Sequence, residues 1–150
     1  MSTIIGSNRF KIDAGKIAAS GNIMFLMDKT GELRDLSGND YCYHSIFCNC
    51  TSLIQAPILP ATTLADMCYV FMFKGCTSLT QAPALPAETL AYGCYASMFE
   101  GCTSLTQAPE LPATTLASGC YNGMFDGCTN IPEPKYNMSH MTFDEVASEI

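Results

Sequence analysis

Nine cysteines in a 150-residue chain are the side chains best suited to chemistry, since a thiolate can attack carbon, hold zinc or pair into a disulfide. Eight of them fall into two columns spaced by 26 residues: Cys42, Cys68, Cys94 and Cys120, then Cys50, Cys76, Cys102 and Cys128. Cysteine is a small hydrophobe that suits an inner file, so a column at fixed period is read first as a packing position. The expectation is buried free thiols. Cys48 belongs to neither column and shares a position with Lys74, Glu100 and Asp126; it is expected to be the exposed, reactive thiol. Cys42, His44, Cys48 and Cys50 sit close together in sequence, but their spacing fits no zinc module. No metal and no cofactor are expected.

The other chemistry-bearing groups are no better arranged for catalysis, which needs a nucleophile or acid beside a positioned base. Asp66, Glu88, Glu100, Glu110 and Asp126 are spread singly, the serines repeat in structural positions, and no glycine-rich phosphate loop precedes a helix pattern. His44 shares a column with Val70, Ala96 and Asn122, which implies a solvated ring, and His140 stands alone. Tyr43, Tyr69, Tyr95 and Tyr121 form a file that could stack on sugars or line the edge of the core with its hydroxyls in water. The core edge is the expected place. These residues imply no enzyme.

Charge narrows the partners. The net charge is -7 with only seven Lys and Arg, and these form no run, so nucleic acid and anionic lipid surfaces are repelled. No stretch approaches the ~20 uninterrupted apolar residues of a membrane-spanning helix. The first twenty residues lack a basic segment followed by an apolar core, so no secretion signal is expected in them.

What must position all these groups is a repeat. The copies read CTSLIQAPILPATTLADMCYVFMFKG from Cys50, CTSLTQAPALPAETLAYGCYASMFEG from Cys76 and CTSLTQAPELPATTLASGCYNGMFDG from Cys102. A chain that copies itself at fixed period is a stack of units that cover one another's apolar faces. Between Leu64 and Lys74 the unchanged columns are Leu64, Ala65, Cys68, Tyr69, Met72 and Phe73, and the changing ones are Asp66, Met67, Val70, Phe71 and Lys74. At ~100° per residue the two sets occupy opposite halves of a helical wheel. The spacing predicts a helix of about three turns in each copy, opened by the Thr pairs after Pro60, Pro86 and Pro112 (Glu88/Thr89 in the middle copy) and closed by Gly75, Gly101 and Gly127. The segment around Ser52 to Ala56 is expected to form a strand of three or four residues, paired in parallel one period away, with Gln55, Gln81 and Gln107 bonding from winding to winding. Phe10, Ile12, Ile23 and Phe25 suggest a small β cap in front. At the back, Thr142 with Glu145, followed by Phe143, Val146 and Ile150 on one side, suggests a short helical lid.

The frame MF.GCTSL, with a proline-punctuated segment and a following L.........F..C, resembles the BspA-like class of bacterial leucine-rich repeats over roughly residues 41–131. In this chain AP.LP (Ala56-Pro57, Leu59-Pro60 and equivalents) stands where that family has I.I.P. The resemblance implies an α/β fold: a right-handed leucine-rich-repeat solenoid with short parallel strands on one face, helices on the other, and small N- and C-terminal caps. One domain over residues 1–150 is expected, with an N-terminal cap and degenerate repeat at 1–40, repeats at 41–131 and a C-terminal cap at 132–150. The resemblance also implies a non-catalytic recognition module, extracellular or on the cell surface, binding a host protein or glycan without inserting into a membrane. A structural spacer without its own ligand is the alternative, and an enzyme the remote one. The candidate partner-binding residues are the strand-side columns Ile54, Thr80 and Thr106, and Ile58, Ala84 and Glu110. The changing columns between Leu64 and Lys74 offer a second surface.

Overall fold

The computed structural model describes residues 15–136 and 150. Its backbone between Ala65 and Cys76 shows why the expected helix is absent. Met67, Phe71 and Gly75 have φ of 55°, 54° and 74°, so every fourth residue is left-handed and an α-helix cannot propagate through it. The amides of Cys68, Val70, Met72, Lys74 and Cys76 donate to carbonyls three residues back, at 3.0–3.3 Å. These overlapping turns alternate between one whose third residue is left-handed, the signature of a type II turn, and one without it. The same rhythm recurs at Gly93, Ser97 and Gly101 and at Gly119, Gly123 and Gly127.

The remaining amides bond to the next copy. Met67, Tyr69, Phe71, Phe73 and Gly75 donate to the carbonyls of Tyr92, Cys94, Ala96, Met98 and Glu100 at 2.7–3.2 Å. Tyr41, Tyr43, Ser45, Phe47 and Asn49 donate likewise to Asp66, Cys68, Val70, Met72 and Lys74. Odd-numbered amides therefore tie winding to winding while even-numbered ones close turns. Each backbone donor in residues 41–50, 67–76 and 93–102 has a partner without any helix, which meets the demand that buried backbone groups be paired.

These findings correct the helix-backed leucine-rich-repeat solenoid implied by the sequence. Among the described residues there is no α-helix, and the strands are two: β1 (Ile17–Ala18) and β2 (Leu53–Gln55), paired in parallel with Ile17 opposite Leu53. The expected strand is thus present at Leu53–Gln55, but its partner is the N-terminal segment and not the next copy. In each copy two prolines follow this segment (Pro57 and Pro60, Pro83 and Pro86, Pro109 and Pro112) and remove ladder donors beyond it. Copies meet on this side through single parallel bridges instead, Asp35 to Thr63, Thr63 to Thr89 and Thr89 to Thr115. Gln55, Gln81 and Gln107 are exposed.

The first winding is longer than the others. Ile17 lies opposite Leu53, 36 residues on, whereas Thr63 lies opposite Thr89, 26 on. The extra length is a 3-10 helix, Ile23–Leu26, capped by Asn22 Oδ1 accepting from the Met24 amide at 2.8 Å, then a turn gathered on Asp28. That carboxylate accepts from the Thr30 hydroxyl and from the amides of Thr30, Glu32 and Leu33. The Thr30 hydroxyl is the main cause of its lowered pKa. Ile23 and Phe25 therefore belong to a helical turn, not a β cap. Phe10, Ile12, Thr142, Phe143, Glu145 and Val146 lie outside the described residues.

Inside the windings the unchanged columns form files. Phe47, Phe73, Phe99 and Phe125 stack with centroids 5.5, 5.6 and 5.9 Å apart and planes within 6°. Tyr43, Tyr69, Tyr95 and Tyr121 also stack, at 5.8, 5.9 and 6.1 Å with planes within 14°. Leu53, Leu79 and Leu105 line the opposite wall with Leu59, Leu85 and Leu111.

Candidate recognition surfaces

The thiols sit in the interior and act structurally. All nine cysteines are free. Cys76, Cys102 and Cys128 each donate from Sγ to the carbonyl of Phe47, Phe73 and Phe99 in the preceding winding, at 3.1, 3.1 and 3.0 Å. Those carbonyls also accept the amides of Cys50, Cys76 and Cys102, so each thiol occupies an acceptor site that the turn leaves over. Burial drives the Cys94 and Cys102 pKa values up to about 12, which keeps the thiols protonated and weakly nucleophilic. Cys48, expected to be exposed, is half-buried, as is Cys42, expected to be buried.

Cys42, His44, Cys48 and Cys50 do not converge, and among the described residues no group of three or more His, Cys, Asp or Glu could hold a metal ion. His44 is packed, not solvated. Its ring lies edge-on to Tyr41 and to Phe71, with centroids 5.9 Å away in both cases. Its Nε2 is 3.5 Å from Ser45 Oγ, too long for a strong hydrogen bond. Val70, in a column expected to face solvent, is buried.

The tyrosine file is also deeper than the sequence implied. Its rings are no more than 2% exposed, and the hydroxyls of Tyr69 and Tyr121 are buried without a partner. Tyr43 alone in the file points its hydroxyl at a backbone carbonyl, that of Ile23, at 3.5 Å. A buried, unsatisfied hydroxyl costs about 1–3 kcal/mol. Tyr69→Phe is therefore expected to stabilise the protein by about 1–2 kcal/mol, raising the midpoint of a thermal scan by a few degrees. A fall in the midpoint would mean that the hydroxyl has a partner, such as an internal water.

The strand-side candidates all reach solvent. Ile54, Thr80 and Thr106 follow the inward leucines Leu53, Leu79 and Leu105, and side chains on extended backbone alternate in direction. Ile58, Ala84 and Glu110 precede the inward Leu59, Leu85 and Leu111 for the same reason, and all six are exposed. Ile58 is held on both sides: its amide donates to Gly21 and its carbonyl accepts from Ile23. With the backbone so fixed, its side chain stands 61% exposed.

Across the ribbon lies the second surface, on the changing columns between Leu64 and Lys74 and their equivalents. Tyr41 and Tyr92 are each 54% exposed. The Tyr41 amide donates to the Asp66 carbonyl at 3.0 Å, and Asp66 Oδ1 accepts the Tyr92 amide at 3.1 Å. Three windings thus meet at Asp66. Nearby, Lys74 Nζ lies 5.0 Å over the Phe71 ring and 3.0 Å from Glu100 Oε1. The Lys74 ammonium donating to Glu100 holds that carboxyl below the usual range. The available signal was the column Asp66, Tyr92, Ser118, where an aromatic stands among small polar residues.

Comparison with protein-family models, curated proteins and solved structures finds no significant match for this chain.

Proposed function

We propose that the protein is a non-catalytic recognition scaffold that binds a host protein or glycan through side chains its windings hold outward. The observation that carries this reading is the separation of roles within one repeat. Inner columns are identical and stacked, backbone donors are consumed by turns and winding-to-winding bonds, and the differences between copies fall mainly on exposed positions. A framework with so few free backbone groups is preorganised, so little ordering cost is paid on binding. Ile54, Ile58, Thr80, Ala84, Thr106 and Glu110 form the strand-side contact surface. The residue frame that resembles BspA-like repeats supports an extracellular or cell-surface setting.

The test is a pull-down against host matrix proteins together with a glycan array. Saturable binding is expected, and Ile58→Asp combined with Thr80→Lys is expected to weaken a strand-side partner by roughly tenfold, about 1.4 kcal/mol. Absence of saturable binding at high protein concentration would instead support a spacer that holds a neighbouring domain at a distance.

A further inference from the structure

Two of the bulkiest left-handed residues in the chain stand on the same outer face. Tyr41 and Met67 have φ of 57° and 55°, a conformation that costs an L-residue about 1–2 kcal/mol. The later windings relieve this cost at the same column with Gly93 and Gly119. Strain kept in two windings and removed in two others points to a use for the side chains that cause it. Met67 leans across the next winding: a methyl at Gly93 would collide with its sulfur. It therefore forms a thioether floor beside Tyr92. Tyr41 and Tyr92 stand two windings apart, ~10 Å at the ~4.8 Å spacing of hydrogen-bonded strands. Asp66 lies between them, with Oδ1 committed to the Tyr92 amide and Oδ2 left to accept from a ligand.

From this geometry we infer that Tyr41, Met67, Asp66 and Tyr92 form a platform for a neutral oligosaccharide. The inference rests on the recognition reading above and names its ligand class and its site. Two exposed aromatic faces present negative quadrupoles to the C–H faces of sugar rings, and their separation is on the scale of two linked pyranoses. The carboxylate accepts a sugar hydroxyl between them. The net charge of -7 excludes sulfated and uronic-acid chains by repulsion. An apolar peptide would find little to bury on so open a strip, and an acidic one would meet Asp66 directly.

The experiment uses chitotetraose, cellotetraose and an N-acetyllactosamine tetrasaccharide as probes, titrated into the whole chain and followed by saturation-transfer NMR. Tyr41→Gly, Tyr92→Ala and Asp66→Asn are each expected to weaken binding by about tenfold or more, the loss typical of a central contact residue. Tyr41→Gly also removes backbone strain, so its unfolding midpoint is expected to rise while binding falls, an outcome that a merely structural role would not produce. Ile58→Asp, on the other face, is expected to leave saccharide binding unchanged. Binding lost in Ile58→Asp but retained in Tyr41→Gly overturns the platform and leaves the scaffold reading standing. The same holds if none of the three saccharides binds while a matrix protein is still retained in the pull-down. If neither class of partner binds, both readings fail.

Discussion

Phe99→Ala is expected to lower the unfolding free energy by about 4 kcal/mol, within the range for emptying a buried phenylalanine site. Phe99 is fully buried and is stacked on both sides, against Phe73 at 5.6 Å and Phe125 at 5.9 Å. Deleting it removes two aromatic pairs and leaves a gap that rigid neighbours cannot close, since every winding is fixed by hydrogen bonds to the next. Stability in a stack of repeats is roughly a sum of units and nearest-neighbour interfaces. The loss of a central ring therefore also weakens communication between the two ends. Urea titration followed by tyrosine fluorescence and circular dichroism checks this: the midpoint should fall, and the two probes should separate. Thr106→Ala on the exposed strand side is the control, with an expected change within about 0.5 kcal/mol. A cost for Phe99→Ala below about 1 kcal/mol would show that the phenyl file does not hold the windings together.

Alkaline pH is expected to unfold the protein well below the range in which most domains fail. Burial raises the pKa values of Cys42 to about 11 and of Cys94 and Cys102 to about 12, and it raises those of Cys68, Cys76 and Cys128 as well. In the unfolded chain these thiols ionise from about pH 9. The folded state retains the protons in that window, so its stability is complete below the unfolded value and is lost as pH rises toward the folded values. Each fully titrating thiol takes away about 1.4 kcal/mol per pH unit, or roughly 2 kcal/mol by pH 10.5. Four such groups approach the ~5–15 kcal/mol that a domain of this kind possesses. Tyr69 and Tyr95, raised chiefly by burial, add to the loss above pH 10. Thermal scans from pH 7 to pH 10.5 in a phosphine reductant should show the midpoint falling steeply above pH 9. A flat profile would mean that the thiols reach solvent.

Much of this architecture was legible in the repeat. The inward files of Cys, Tyr, Met, Phe and Leu, the burial of seven of the eight column thiols (Cys42 is half-buried) and the exposure of Ile54, Thr80, Thr106, Ile58, Ala84 and Glu110 all follow from which columns change. The helix did not follow, and the reason is arithmetic. Leu64, Ala65, Cys68, Tyr69, Met72 and Phe73 recur as pairs every four residues. A step of four departs from the helical 3.6 by only ~40° of wheel, so over two steps both periods keep the pairs on one side. The discriminating residues were Gly119, Gly123 and Gly127, three glycines at a spacing of four along what would be one helical face. A helix would be destabilised there by about 1 kcal/mol per glycine, whereas a ribbon with a left-handed residue at each of those positions is relieved by them. The changing columns around Asp66 were legible as a surface, but the meeting of two tyrosines there was not: Tyr41 and Tyr92 are 51 residues apart, and only the winding-to-winding bonds bring both to Asp66.

The rungs between windings have an electrical consequence. In those of the ribbon, from Tyr41 to Asp126, the amide points toward the C-terminal neighbour and the carbonyl toward the N-terminal one, so these peptide dipoles add along the stack, as they do in a helix but with the opposite polarity relative to chain direction. The stack has its negative pole at the first winding and its positive pole at the last. Anionic side chains are favoured toward the end of the chain and cationic ones toward its beginning. The outer column that runs Lys74, Glu100, Asp126 changes sign along the axis in that sense, so its charges lie with the field of the backbone beneath them.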